Sequence, residues 1–303
     1  MKELNEFAYK RSISITHRHI ISIVNTLIRE KFKKRHIRIL DAGFGQAKLL
    51  KFLHEFLPKF NPDITFEVFG YDISDHGVQD NGFYQKAIET LKMDFPNLDW
   101  EERLKLITSD SKWPFEDGYF DIVISNQVLE HVWDHNFFLY ENNRVLCLGG
   151  MAIHLFPVKE VVIDWHLFLP FVHKFKNWDF TYKFICFCSR IGLGKYVNQL
   201  NLEEYSQSHA DFVHFYCNYP PYKYLSQLAK KNSFRFSTRF SLNFYTKKIK
   251  ELLGIKDKFN YSYSKSSSIL SFPILKYISS VTFILEKEES YKKWLDKNKF
   301  FYN

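Results

Sequence analysis

The sequence predicts an α/β protein: a doubly wound, mostly parallel sheet with an N-terminal covering helix and an aromatic-rich cap inserted after the fifth strand. Three observations lead there. Short apolar segments alternate with helical periodicity between residues 37 and 156, the pattern of a parallel sheet covered on both faces. The 303 residues are 46% hydrophobic and 25% charged, which is typical of a globular protein. Regular periodicity is lost over residues 157–219 and returns after Pro220.

Each element has its own signal. Residues 16–34 place apolar side chains on one helical stripe, which predicts the covering helix. Further strands are predicted over 38–40, 65–71, 104–108, 121–125, 151–156, 234–242 and 279–286, and helices over 48–57, 84–92, 137–148, 220–231 and 244–253. The chain is therefore divided into a helical cover (1–36), an α/β core (37–157), a cap (158–219) and a segment that completes the sheet (220–303).

Charge and cysteine content limit the functional classes. The net charge is +8, and counting along the chain gives +7 for residues 1–40, −10 for 41–150 and +11 for 151–303. Four cysteines are too few for a disulfide scaffold in 303 residues, which favours a reducing compartment. Residues 1–15 lack the apolar run of a signal peptide, and no tract is suited to cross a bilayer. We therefore expect a cytoplasmic protein.

A glycine-containing turn follows the first predicted strand. Asp41 ends the strand, and Gly43 and Gly45 allow the backbone to turn tightly before a helix begins. The third glycine of a dinucleotide-binding motif is replaced by Lys48, and a pyrophosphate would be repelled by Asp41. The pattern therefore favours a ligand with an ammonium group and no phosphate, such as S-adenosylmethionine.

From this point the sequence resembles the class I S-adenosylmethionine-dependent methyltransferases over residues 37–156. The glycine-rich pattern of that family stands here as Asp41, Gly43, Gly45 and Ala47, with alanine in place of the last glycine. The resemblance implies that Asp72, at the end of the second strand, accepts hydrogen bonds from the ribose hydroxyls of the cofactor, and that Ile73 lies along the adenine.

The same resemblance continues into the third and fourth strands. It places Asp110 and Ser111 near the adenine amino group, and Asn126 and Gln127 at the carboxyl end of the fourth strand, where open parallel sheets bind their ligands. The implied cofactor is S-adenosyl-L-methionine.

Three histidines are candidates for the general base that a hydroxyl acceptor requires. His131 follows Glu130 just beyond the fourth strand, and His166 and His173 lie in the predicted cap; His166 is preferred because the cap should cover the acceptor. Some class I methyltransferases bind a divalent metal through a Glu-x-x-Glu-His pattern. Gln127 stands where the first of those glutamates would be, so no metal site is expected.

The aromatic, histidine-containing cap resembles, over a short segment, caps of bacterial methyltransferases that act on polysaccharides or lipid-linked sugars. The leading hypothesis is therefore methylation of a hydroxyl on a sugar or another small or lipid-linked acceptor. RNA or protein methylation and a non-catalytic cofactor-binding subunit are alternatives. Nucleic acid is disfavoured because Lys and Arg are dispersed. The basic, aromatic C-terminal half also suits peripheral contact with an anionic membrane, and the oligomeric state is left open.

Overall fold

A computed structural model describes residues 2–12, 14–75, 79–197, 201–255, 261–263 and 272–288. Its main sheet has seven strands in the order β3-β2-β1-β4-β5-β9-β8. The first five are parallel, and β9 runs antiparallel to both of its neighbours. The strands, with a separate two-stranded hairpin β6/β7, are β1 His36–Ala42, β2 Thr65–Ile73, β3 Leu104–Ile107, β4 Phe120–Asn126, β5 Leu146–Phe156, β6 Ile163–Asp164, β7 Leu169–Pro170, β8 Phe234–Ser237 and β9 Val281–Lys287.

Helices flank this sheet. They are α1 Lys2–Arg11, α2 Ile15–Lys31, α3 Lys48–Phe60, α4 Phe83–Asp94, α5 Trp100–Arg103, α6 His135–Val145, α7 Trp178–Arg190, α8 Leu202–Phe215, α9 Tyr222–Lys231, α10 Ser241–Leu252 and α11 Phe272–Leu275, with 3-10 turns at Leu129–His131 and Val172–Lys174. No described helix is long and apolar enough to cross a membrane.

The strands bury alternate side chains on opposite faces, as a pleated strand requires. In β1, Ile37 and Ile39 pack with α2 and α3, whereas Leu40 and Ala42 pack with α6 and α9. The sheet is therefore covered on both sides, and the doubly wound α/β prediction is confirmed. The strand order reverses between β1 and β4, so the carboxyl ends of these two strands open a crevice for a ligand.

The predicted covering helix exists as α2, but it is not a surface helix. Its residues from Ile20 to Ile28 are buried, because the unpredicted helix α1 packs beside α3 and α10 packs across α2. His19 shows this well: it is fully buried and bonded to Thr282 Oγ1 at 2.8 Å. The N-terminal region is consequently part of the core.

Two predicted element boundaries are wrong. The helix predicted to run to residue 148 ends at Val145, and β5 already begins at Leu146. Gly149 has φ +74° and lies in a register shift between β4 and β5, so this glycine forms a bulge rather than ending the helix. The strand predicted over 234–242 ends at Ser237, since Ser241 already begins α10; the apolar alternation simply continued into a helix.

The cap region has more regular structure than its sequence predicts. Helices α7 and α8 pack against each other, and the β6/β7 hairpin lies beside them. A separate apolar core joins these elements, made of Leu167, Leu169, Val172, Ile185, Cys188, Ala210 and Val213. The sequence shows no helical periodicity here because α7 carries apolar side chains on its exposed face as well as on its buried face.

Candidate active site

A cavity of about 740 Å³ lies at the carboxyl ends of β1–β4, a volume typical of sites for small organic ligands. One part is formed by the strand ends and the loops after them, and the other by the segment from His131 to Phe138 at the start of α6. The crevice expected from the strand order is therefore a real and sizeable pocket.

The turn after β1 must contain glycine. Gly43 has φ +83°, and a Cβ there would lie 2.6 Å from Cγ2 of Val128, so the loop after β4 closes directly over the turn. Gly45 has φ +53°, and both glycines line the cavity. Ala47 lies buried behind them, outside the cavity lining, in a left-handed conformation just before α3.

Two buried carboxylates face the cavity from the strand ends. Asp41 and Asp72 are 3% and 6% exposed, and both line the cavity. Asp72 accepts hydrogen bonds from the backbone N–H groups of Gly45 at 2.6 Å and Ile73 at 2.8 Å. Burial raises the pKa of Asp72 to about 6 despite these bonds. The pKa of Asp41 is also raised, by burial and by the charge of Asp72.

These features fit S-adenosylmethionine. Oδ1 of Asp41 is buried without a hydrogen-bond partner, which suits it to accept from an ammonium group. Gly43 and Gly45 line the cavity without side chains, so a ligand can lie against the backbone of this turn. Asp72 keeps acceptor capacity beyond its two backbone bonds, because a carboxylate offers about four lone-pair positions.

The other predicted cofactor residues lie around the same cavity, with one exception. Ile73, Asp110, Asn126 and Gln127 line it. Ser111 lies one residue outside the lining and bonds to Thr108 Oγ1 at 2.6 Å. The contacts of these residues with the cofactor itself stay predictions.

Sequence reasoning missed the contribution of helix α2. His17 lines the cavity, with Nδ1 buried and without a partner. Burial, followed by the charges of Lys48 and Arg18, lowers the pKa of His17 to about 4, so its ring is neutral. The preceding Thr16 accepts a hydrogen bond from Nδ2 of Asn126 at 3.2 Å. No sequence pattern predicts that His17 lies in this cavity, because the approach of α2 to the strand ends is a tertiary contact.

A cluster of three polar side chains lies at the other end of the cavity. Glu130, His131 and His166 each place one possible metal-ligand atom within 4.8 Å of the other two. His131 lines the cavity itself, and its ring is 5.8 Å from that of His166. Glu130 is fully buried, and both carboxylate oxygens are without hydrogen-bond partners. Burial raises the pKa of Glu130 to about 8.

His166 is held in place by a second carboxylate. Tyr219 donates its hydroxyl proton to Oδ2 of Asp164 at 2.6 Å, and the same hydroxyl lies 3.0 Å from Nδ1 of His166. Burial alone would raise the pKa of Asp164, but its neighbour His166 and the hydroxyl of Tyr219 lower it to about 2. Burial lowers the pKa of His166, and the carboxylates of Asp164 and Glu130 more than compensate, so its pKa is raised.

His173 lies further from the cavity. Its side chain is fully buried, packs on the ring of Tyr219 at 4.7 Å and donates from Nε2 to the carbonyl of Lys159 at 3.3 Å. It is neither in the cavity lining nor in the three-residue cluster. The structure thus brings His131 and His166 together, whereas His173 lies outside both the cluster and the cavity lining.

Comparison with known families gives one match. A family model described as a methyltransferase domain matches residues 40–154, which run from Leu40 near the end of β1 to His154 in β5 and include the strand-end half of the cavity. No curated protein sequence matches the chain.

Three of the solved structures that are similar to this chain are described by their sequence identity, TM-score and coverage. The YcgJ protein from Bacillus subtilis is 13% identical, with a TM-score of 0.44 and coverage of 88% of this chain and 98% of the other. An S-adenosylmethionine-dependent methyltransferase from Mesorhizobium loti is 11% identical, with a TM-score of 0.47 and coverage of 83% and 91%. Phosphoethanolamine N-methyltransferase 2 from Haemonchus contortus is 18% identical, with a TM-score of 0.44; the chain spans 52% of that protein's length.

Proposed function

We propose that this chain, whose residues 40–154 match the model of a methyltransferase domain, is a class I S-adenosylmethionine-dependent methyltransferase that methylates a hydroxyl of a sugar or of a lipid-linked small molecule. S-adenosylmethionine is the cofactor of this family, and when bound it supplies an electrophilic methyl group on a sulfonium. The remaining chemistry is positioning, exclusion of water and removal of the acceptor's proton.

The strand ends hold the cofactor in this proposal. Asp72 accepts from the ribose hydroxyls and Asp41 from the ammonium group, while the Gly43–Gly45 turn lets the ligand approach the backbone. Both carboxylates are ionised when they act as acceptors, and a cationic ligand compensates the cost of their burial. Trp113 and Phe138 add apolar surface to the lining of the cavity.

The single observation that carries the hydroxyl assignment is the Glu130–His131–His166 cluster at the acceptor end of the cavity. A hydroxyl must lose its proton as its oxygen attacks the methyl carbon, and imidazole and carboxylate groups are suited to assist this. Beside the cluster, Trp133, Phe137 and Phe138 line the cavity and offer apolar faces to a sugar ring or an alkyl chain.

RNA fits this cavity poorly. Its described lining contains the carboxylates of Asp41, Asp72, Asp110 and Asp134, against one lysine, Lys48. A phosphate backbone entering the site would meet mostly negative charge, whereas RNA-binding sites are basic. A neutral acceptor avoids this repulsion.

The acceptor class is tested with labelled cofactor. Purified protein is incubated with S-adenosylmethionine carrying a labelled methyl group and with separate extracts of glycans, lipids, RNA and protein, and products are identified by mass spectrometry. We expect an O-methyl product in the glycan or lipid fraction, absent with the Asp72→Ala variant. Label found in RNA or protein alone would overturn the proposal.

The outer surface of the cap supports a lipid-linked acceptor. Helix α7 exposes Phe180, Phe187 and, just beyond its end, Ile191, at 54%, 60% and 55%. Exposed basic side chains flank them: Lys176, Lys183, Arg190 and Lys195. Such a combination of aromatic and basic groups is typical of surfaces that rest on anionic membranes.

Vesicle co-sedimentation at low salt tests this surface. We expect the protein to pellet with vesicles that contain phosphatidylserine and to stay in solution with purely zwitterionic ones. Phe187→Ser should weaken pelleting several-fold, while Met93→Ser, a change at a side chain 79% exposed on α4, should leave it unchanged. Equal pelleting of both variants would rule out the α7 surface.

A further inference from the structure

We propose that Lys195, Lys248 and Trp165 bind a phosphoryl oxyanion beside the acceptor end of the cavity, and that this oxyanion is a phosphate group of the acceptor. Trp165 lies in the β6/β7 hairpin of the cap, Lys195 follows α7 and Lys248 belongs to α10. None of the three lines the cavity. The proposal rests on the hydroxyl-methylation function above: the reacting hydroxyl occupies the cavity, and the phosphate of the same molecule is held next to it.

Trp165 is contacted by both lysines. Nζ of Lys248 lies 3.2 Å from the centroid of the Trp165 ring, and Nζ of Lys195 donates to the backbone carbonyl of Trp165 at 2.6 Å. Lys248 also donates to Oγ of Ser279 at 3.5 Å, and Ser279 is a buried residue. The structure thus gathers two ammonium groups and one hydroxyl around a single tryptophan.

Neither lysine forms an ion pair with a carboxylate of the described residues. Glu251, one turn further along α10, instead pairs with Arg18 at 3.3 Å. Burial, followed by the charge of Lys195, lowers the pKa of Lys248 to about 8, against the opposing charge of Glu251. Burying a cation without a counter-ion costs free energy, and an anion bound beside Lys248 would compensate that cost.

The indole nitrogen of Trp165 is the second argument. Nε1 is buried and has no hydrogen-bond partner among the described residues. An indole N–H can only donate, and buried donors in folded proteins nearly always have an acceptor. Because Lys248 lies over the same ring, an oxyanion at the edge of this ring can accept from the indole N–H and from the ammonium group together.

The position of these side chains in the fold links them to the cavity. Strand β9 runs antiparallel to β5, so the residues that precede β9 lie at the sheet edge that carries the cavity. Among them, Ser280 accepts a hydrogen bond from Nε2 of Gln127 at 3.4 Å, and Gln127 lines the cavity. On the cap side, Trp165 directly precedes His166, a member of the cluster at the acceptor end. An anion held by Trp165 and Lys248 therefore lies beside the acceptor.

A phosphate suits these donors, since lysine ammonium groups bind phosphate as point charges. Inside the cavity a phosphate would be repelled by the carboxylates of the lining, so the charge and the reacting hydroxyl need separate places. A sugar joined to a lipid through phosphate meets this requirement, because its hydroxyls are neutral and only its phosphate is charged. Lys195 also follows α7, the helix proposed above to contact lipid.

Calorimetric titration of the full chain tests the site independently of activity. The probes are inorganic phosphate and farnesyl phosphate, a short lipid monophosphate, both at low ionic strength. We expect one site per chain, with the affinity for both probes reduced at least tenfold in Lys248→Met and three- to tenfold in Trp165→Phe, which keeps an aromatic ring but removes the N–H. Lys230→Met is the matched control, since it removes the same charge from an exposed position on α9, and it should bind both probes like the wild type.

Equal affinity of the wild type and of folded Lys248→Met protein for both probes would overturn the oxyanion site. Trp165→Phe keeps the test valid if Lys248→Met does not fold, and circular dichroism establishes the folding of each variant. Cofactor affinity should be the same in Lys248→Met as in the wild type, because Lys248 lies outside the cavity lining.

The two probes distinguish the sources of the phosphate. Farnesyl phosphate that binds at least tenfold more tightly than inorganic phosphate supports a lipid-linked acceptor, whereas equal affinities assign the site to free phosphate and overturn its link to the acceptor. If the probes bind at these residues but no hydroxyl product forms with the glycan and lipid extracts, the proposed function fails and the oxyanion site stands.

Discussion

The two ends of the cavity are built in different ways. At the end proposed to hold the cofactor, the contacts use the backbone: Gly43 N donates to the carbonyl of Tyr71 at 2.8 Å, and Gly45 N donates to Asp72. At the acceptor end, the contacts join side chains of distant segments, as in the bond from Tyr219 to Asp164. Substitutions of the glycines or carboxylates at the first end therefore disturb the backbone of the site. Substitutions at the second end remove single side-chain contacts and leave the backbone in place.

This difference predicts where mutations are most severe. Backbone-built sites fail when the backbone is forced to move, and side-chain networks fail in smaller steps.

The largest effect is expected for Gly43→Ala. The new Cβ would lie 2.6 Å from Val128 Cγ2 in a residue with φ +83°, which costs roughly 1–3 kcal/mol in strain besides the clash. We expect cofactor affinity, measured by isothermal titration calorimetry, to fall at least 100-fold.

Two matched variants show whether the clash or the dihedral angle is responsible. Gly82 also has positive φ, +76°, but nothing lies within 4 Å of a Cβ there, so Gly82→Ala should cost only about 1–2 kcal/mol of stability and leave cofactor binding intact. Adding Val128→Ala to Gly43→Ala should restore part of the affinity. An unchanged affinity in the Gly43→Ala protein would contradict the close approach of ligand and backbone.

A pH effect of intermediate size is expected at Asp72. The folded, ligand-free carboxyl has its pKa raised from 3.8 to about 6, so its contribution to stability is fully present below pH 3.8 and is lost as the pH rises through 6. Cofactor binding needs the ionised carboxylate of Asp72, so cofactor affinity should rise with pH over the range in which the stability contribution of Asp72 is lost. We expect the part of the affinity that depends on Asp72 to be constant above pH 7 and to fall up to tenfold per pH unit below 6.

Asp72→Asn is the control for this profile. It should bind the cofactor at least tenfold more weakly at pH 7, because hydrogen bonds to a charged acceptor contribute about 1.5–3 kcal/mol. Its affinity should also lose the part of the pH dependence between pH 5 and 6.5 that belongs to Asp72, leaving that of Asp41. A wild-type affinity that is flat over this range would show that Asp72 does not titrate on binding.

The smallest effect is expected at the cap network. Tyr219→Phe removes a buried hydroxyl that bonds to Asp164 and His166, leaving Asp164 with its backbone donors at His166 and Leu167. We expect methyl transfer to fall about three- to tenfold, the affinity for cofactor to stay unchanged and stability to fall by about 1–2 kcal/mol. Thermal unfolding and cofactor titration measure these changes.

Tyr224→Phe is the comparison for that change, since Tyr224 is 41% exposed on α9 and should have no effect on transfer. A Tyr219→Phe protein that loses cofactor affinity would show that the two ends of the cavity are coupled and do not act independently.

The sequence by itself predicted the class of sheet and placed Asp41, Gly43, Gly45 and Asp72 at the strand ends that line the cavity. These residues each end a strand or begin the turn after it, and parallel strands bring their carboxyl ends to one edge of the sheet. Local sequence therefore places them in space without any knowledge of long-range contacts.

Only the tertiary structure decided the other end. Glu130 and His166 are brought together by the folding of the cap over the start of α6, where Asn218 N bonds to the carbonyl of Glu130 at 2.6 Å. No periodicity encodes such a contact. The tertiary structure also places His166 in the three-residue cluster and His173 outside it, although the two residues are close in sequence. It brings His17 of the N-terminal helix α2 into the cavity lining. Packing between distant segments is a property of the whole chain, so it appears only once the chain is folded.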